Sequence, residues 1–111
     1  MGNMGYSEAK CQDVGMKVDQ IILSCDTGVI GKIVDYGIQS KIEDNTYCRY
    51  NSTGQCAKAL SSSLNTTLQN CVFNSTCHIS GLQKYVTASK TTCLDEDASF
   101  HVQYFCWQTE A

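Results

Sequence analysis

Eight cysteines, at positions 11, 25, 48, 56, 71, 77, 93 and 106, constrain this chain more than any other feature. They are even in number and spread over nearly all of its 111 residues, the usage of a domain held by disulfides in an oxidising compartment. A chain this short has one modest core and buries a smaller share of its surface than a longer one, so covalent cross-links compensate. The competing use of cysteine is metal binding, which requires close pairs such as C-x-x-C, often with histidines a few residues on. Here the tightest spacing is Cys71 to Cys77, and His78 and His101 are far apart, each among strand-forming residues. The expectation is a disulfide framework with no metal and no cofactor. Counting alone leaves about a hundred ways to pair eight cysteines.

Three N-x-S/T triplets, at Asn51, Asn65 and Asn74, agree with passage through a secretory pathway. If they are glycosylated, segments 50–54, 65–67 and 73–76 must be exposed. Met1-Gly2-Asn3-Met4-Gly5 is neither charged nor followed by an apolar run, so it reads as neither a signal peptide nor a membrane span. Residues 1–10 are expected to be a loose leader to a single domain over 11–107. The formal charge of −3, with lysines scattered singly, argues against a nucleic-acid surface, which needs clustered basic groups. An extracellular or cell-surface location is expected, with no insertion into a membrane.

Within the cysteine-bounded region no repeat or low-complexity run appears. Segment 17–25 is rich in β-formers, with Ile21, Leu23 and Cys25 alternating onto one face. Asp26-Thr27-Gly28 supplies turn chemistry before Val29–Val34, which predicts a β-hairpin over 18–34. The polar stretch 35–55 reads as a long loop held by Cys48. Leu60, Leu64 and Leu68 recur every four residues, predicting a helix over about 56–70. Segment 77–80 and the region around Tyr85-Val86 read as short strands broken by Gly81. In Phe100–Trp107, Phe100, Val102, Tyr104 and Cys106 alternate onto one face of a last strand. Phe105 and Trp107 lie on its opposite face, either as an exposed aromatic patch or covered by a second sheet.

The cysteine spacing, the Tyr36-Gly37 pair, the helix running into Cys71, the short Cys71–Cys77 loop and the ending Val102-Gln103-Tyr104-Phe105-Cys106 together resemble the galactose/rhamnose-binding lectin domain. This is the sea-urchin-egg-lectin type, as in fish-egg lectins and latrophilin-like receptors. The resemblance covers residues 11–106. It implies an α/β fold in which a small disulfide-rich antiparallel β-sandwich is accompanied by one main helix at 56–70 and long loops. It also implies the pairing Cys11–Cys48, Cys25–Cys106, Cys56–Cys93 and Cys71–Cys77.

Two motifs depart from the family pattern. Sugar-binding members carry A-N-Y-G-R, usually preceded by a glutamate; this chain has Val34-Asp35-Tyr36-Gly37-Ile38, with Lys32 near the glutamate position. The family's D-P-C-x-G-T-x-K-Y-L becomes Thr91-Thr92-Cys93-Leu94-Asp95-Glu96-Asp97-Ala98-Ser99-Phe100, with Ala98 in place of the lysine. Monosaccharide binding rests on a few charged or amide groups aimed at hydroxyls above an apolar surface, so these losses bear on the ligand more than on the fold. The resemblance implies a groove between a Tyr36-Gly37 turn and the 93–99 loop. The candidate ligand-binding residues are Lys32, Asp35, Tyr36, Gly37, Asp95, Glu96, Asp97 and Ser99, although a run of acidic residues in a loop is more often simply solvated. The expected function is a metal-independent, lectin-like adhesion module whose partner is a glycan or glycoprotein. The alternative is a protein–protein adhesion module that keeps the fold and binds another extracellular protein. Catalysis is not expected, because bridged cysteines cannot attack a substrate and neither histidine neighbours a serine in an elbow or triad motif.

Overall fold

The computed structural model describes residues 5–6, 9–40, 50, 56–86 and 98–108. Its spine is β6 (Ala98–Gln108), a strand rich in the β-formers Phe100, Val102, Tyr104, Phe105 and Trp107. Along one edge β6 pairs antiparallel with β4 (Val29–Ser40); along the other it pairs with β2 (Lys10–Gly15) and then β1 (Gly5–Tyr6). These four strands form one sheet. Gly5 and Tyr6, expected within a loose leader, thus lie opposite Gln108 and Trp107. A second, two-stranded sheet joins β3 (Gln20–Ser24) to β5 (Thr76–Ser80), with Ile21 opposite Ile79 and Leu23 opposite Cys77. The fold among the described residues is therefore mostly antiparallel β with one short helix and disulfides, the coarse architecture expected.

The core lies between the two sheets and the helix α1 (Ser63–Gln69). Phe100, Val102, Tyr104 and Cys106 of β6 face it, beside Ile30 and Ile38 of β4, Ile21 and Leu23 of β3, and Leu64 and Leu68 of α1. Tyr104 fastens the sheets together: its hydroxyl donates to the Ser24 carbonyl (2.8 Å) and accepts from the Ser24 amide (3.2 Å). One residue on, the Cys25–Cys106 disulfide repeats the link, with Cα atoms 5.9 Å apart.

Three expectations are corrected. First, β3 and β4 follow one another but do not pair, so there is no 18–34 hairpin. Ser24 and Cys25 are held over β6, and Gly28, at φ 81°, turns the chain into the other sheet. A Cβ on Gly28 would run into the Trp107 carbonyl, so both space and backbone conformation require glycine there. Second, the helix begins at Ser63 rather than near Cys56. Lys58 exchanges backbone bonds with Ile38, Leu60 bridges Val86, and the Ser61 amide donates to the Tyr85 carbonyl (2.7 Å), so sheet-like partners claim the preceding turns. The serine run 61–63 offers little helix propensity to resist them. Third, Tyr85 closes a 3₁₀ turn (Leu82–Tyr85) entered through Gly81 at φ 68°, rather than a strand. Asp19 accepts from both the Leu82 and Gln83 amides and so fixes that turn against the end of the Met16–Asp19 bend.

Of the expected disulfides, Cys25–Cys106 and Cys71–Cys77 are present. Cys11 and Cys56 are each disulfide-bonded; their expected partners, Cys48 and Cys93, lie outside the described residues. Among those residues no cysteine is free. Asn65 and Asn74 are exposed, as their sequons require, while Asn51 lies outside the described residues.

Candidate binding site

Strand β4 decides where the candidate residues point. Strict alternation through Val-Ile-Gly-Lys-Ile-Val-Asp-Tyr-Gly-Ile would send Lys32 and Val34 into the core beside Ile30. Instead the register shifts between Ile30 and Lys32, and again between Ile33 and Asp35. Each shift is a β-bulge, one extra residue that resets which face the following side chains take. Ile33 consequently lies opposite Tyr104 on the core side, Lys32 opposite Phe105 on the other, and Val34 is left 41% exposed.

The second face of the large sheet is polar at its centre. Its cross-strand rows are Cys11, Gln103 and Asp35; then Asp13, His101 and Gly37; then Gly15, Ser99 and Gln39. Lys32 and Phe105 extend it towards Val29 and Trp107. Lys32, Asp35, Gly37 and Ser99 of the candidate set therefore share one face. Tyr36 takes the other, where it packs against the core opposite Val102. The expected Tyr36-Gly37 turn is corrected: both residues are inside β4, because β6 offers an unbroken pairing edge as far as Ser40. Ser99 is inside β6 and buried. Asp95, Glu96 and Asp97 lie outside the described residues.

The middle of these rows is closed, while Asp35 at one end is exposed and Asp13 partly so. His101, Gln39, Gln103 and Ser99 are buried, and the Tyr50 ring stacks on His101 with centroids 6.1 Å apart and planes inclined by 22°. Gly37 makes room for that ring, since a Cβ there would overlap it. The Tyr50 hydroxyl donates to the Lys58 carbonyl (3.1 Å). Burial, with a contribution from the nearby Asp35 charge, raises its pKa above the ordinary 10.0.

Beneath Tyr50, His101 Nδ1 lies 2.5 Å from Asp13 Oδ1 and 3.3 Å from the Gln39 amide nitrogen. A carboxylate can only accept, so the Asp13 contact is a hydrogen bond in the tautomer that carries the proton on Nδ1. Nε2 is buried with no hydrogen-bond partner among the described residues. An Asp–His pair can orient a general base; here Nε2 is buried and the Tyr50 ring stacks on the imidazole. Cys11 lies close enough to make a ligand trio with Asp13 and His101, yet its sulfur is in a disulfide and is not the thiolate that a soft metal requires.

The open part of the face is its Lys32 end. Lys32 and Asp35 are exposed, and Phe105 and Trp107 are half-buried beside them. Asp35 Oδ1 accepts from the Tyr36 amide (2.9 Å), which fixes the carboxylate against its own strand. A cation, a carboxylate and an aromatic floor on one ledge can hydrogen-bond hydroxyls and cover an apolar ring face. Sequence reasoning missed Asp13 and Tyr50, whose partners are remote in the chain. A signal for the His101 row was present in the polar alternation Ser99, His101, Gln103. Comparison with known proteins finds no family model, no curated protein and no solved structure that matches the chain.

Proposed function

We propose that this chain is an extracellular, metal-independent carbohydrate-recognition module. One observation carries the reading: exposed Lys32 and Asp35 stand on the same face as half-buried Phe105 and Trp107, at the open end of a face whose centre is buried at Gly37, Gln39, Ser99, His101 and Gln103. The two charged groups offer donors and acceptors to adjacent hydroxyls, and the rings offer the apolar contact beneath a pyranose. In this reading the two sheets form the sandwich of the galactose/rhamnose-binding lectin type, and the site is moved from the Tyr36-Gly37 region to the Lys32 end. The disulfides support an oxidising location.

The test is a glycan array followed by NMR titration with the sugars that score. Shifts at Lys32, Asp35, Phe105 and Trp107 are the expected result, and silence at those residues with every sugar ends the carbohydrate reading. Closure of the Gly37 row beneath Tyr50 favours one alternative, a protein-binding adhesion module using the Phe105 and Trp107 ledge. Partner binding that survives removal of glycans and disappears in Trp107→Ala would select it.

A further inference from the structure

Phe73 is the side chain most at odds with its surroundings among the described residues. It is 79% exposed, and its φ of 76° lies in the left-handed region that a bulky residue enters only with strain. The backbone conformation has a local cause. The Phe73 amide donates to the Ile30 carbonyl and the Ile30 amide donates to the Asn74 carbonyl, both at 2.8 Å, so the loop closed by Cys71–Cys77 docks on the start of β4. Glycine or asparagine would accept that geometry at less steric expense. The docking therefore explains the turn and leaves the exposed ring unexplained.

The next residue begins the triplet Asn74-Ser75-Thr76, and all three are exposed. Asn74 Nδ2 donates to the Asn70 carbonyl at 3.1 Å, which ties the side chain back to the end of α1. A secondary amide keeps one N–H, so a sugar attached to this nitrogen leaves a donor for Asn70. We propose that Asn74 carries an N-linked glycan whose innermost sugar lies on the Phe73 ring, making Phe73-Asn74-Ser75-Thr76 a modification site with its own apolar platform. The inference rests on the extracellular reading above. In the attachment step the Asn74 amide nitrogen attacks the anomeric carbon of a lipid-pyrophosphate-linked oligosaccharide. The N–C bond forms, the C–O bond breaks, the lipid pyrophosphate leaves with the electron pair, and one Nδ2 proton passes to a base of the transferring enzyme. A pyranose presents a face of C–H bonds, and packing it on the ring removes apolar surface from water on both partners. Among the described residues Asn65 has no comparable platform, because Leu64 and Leu68, its apolar neighbours on α1, are turned into the core.

The experiment is secretion of the full chain from a eukaryotic host that attaches N-glycans. Site occupancy is read by peptide mass spectrometry, and melting temperature is measured before and after trimming to a single sugar, in the natural sequence and in Phe73→Ala. Asn74 should be occupied, and the single-sugar form should melt about 4–8 °C above the Asn74→Gln variant, the shift of a roughly 1 kcal/mol contact in a domain near this size. That increment should vanish in Phe73→Ala. An unoccupied Asn74 in secreted, correctly bridged protein overturns the inference and leaves the extracellular reading standing, as does an equal increment with and without the ring. Failure to form Cys25–Cys106 and Cys71–Cys77 on secretion overturns both.

Discussion

Gly37 and Tyr50 occupy the same space in turn: the glycine lacks the atom that the ring would strike. Gly37→Ala should therefore push Tyr50 off His101 and destabilise the domain by about 1–3 kcal/mol, the usual range for overpacking. Urea unfolding measures this, and Tyr50→Ala should relieve most of the clash term in a double-mutant cycle. Tyr50 also predicts a pH dependence. Its pKa is raised in the folded state by burial and by Asp35, so folding holds the phenolic proton more tightly than the unfolded chain does. The stability it contributes is complete below pH 10.0 and is lost as pH rises through the higher folded value. Unfolding free energy should accordingly fall more steeply above that pH in the natural chain than in Tyr50→Phe. On the proposed ledge, Lys32→Ala and Asp35→Ala should each weaken sugar binding about tenfold, the worth of one charged hydrogen bond, while leaving the melting temperature nearly unchanged.

At the scale of the element, β4 shows how an irregularity can matter more than a periodicity. Its bulges convert a run whose plain alternation would bury a lysine into a strand that turns Ile30, Ile33, Tyr36 and Ile38 to the core side, Ile30 and Ile38 fully buried and Ile33 and Tyr36 partly. Val34 is the extra residue of the second bulge, so deleting it should restore regular pairing between Ile33–Asp35 and Gln103–Tyr104 without moving any side chain to the wrong face. The deletion variant should fold with its disulfides intact and show native near-ultraviolet circular dichroism. Its sugar binding should drop, because a bulge bends the strand that aims Lys32 and Asp35. The helix illustrates the opposite case. Its leucine stripe is legible from sequence, but its first turns are not, since Lys58, Leu60 and Ser61 find backbone partners on segments far away in the chain.

For the whole molecule, the two described bridges differ in the loops they close. Cys25–Cys106 spans 81 residues and Cys71–Cys77 spans 6. On loop entropy alone the first stabilises by about 4–5 kcal/mol and the second by about 2–3 kcal/mol. Replacing both cysteines of the long bridge by alanine should abolish cooperative unfolding or lower the denaturation midpoint far more than the same change in the short bridge. The Tyr104 hydroxyl, bonded to the same strand end, is too small a link to substitute for it.

The disulfide framework, the last strand and its core-facing residues, the leucine stripe and the exposure of Asn65 and Asn74 were legible in the amino-acid sequence. The last strand, the leucine stripe and the sequons depend on residue type and spacing within a few positions of the chain, and the disulfide framework on the number and spread of the cysteines. Tertiary structure decided which strands pair, where β4 bulges, and which face Lys32 and Asp35 share with Phe105 and Trp107, because hydrogen-bond partners chosen across the sheet override local alternation. It also decided where the Cys25–Cys106 bridge sits, between the end of β3 and the core face of β6. The alternation that makes a strand says which residues turn inward, but not which neighbour they will meet.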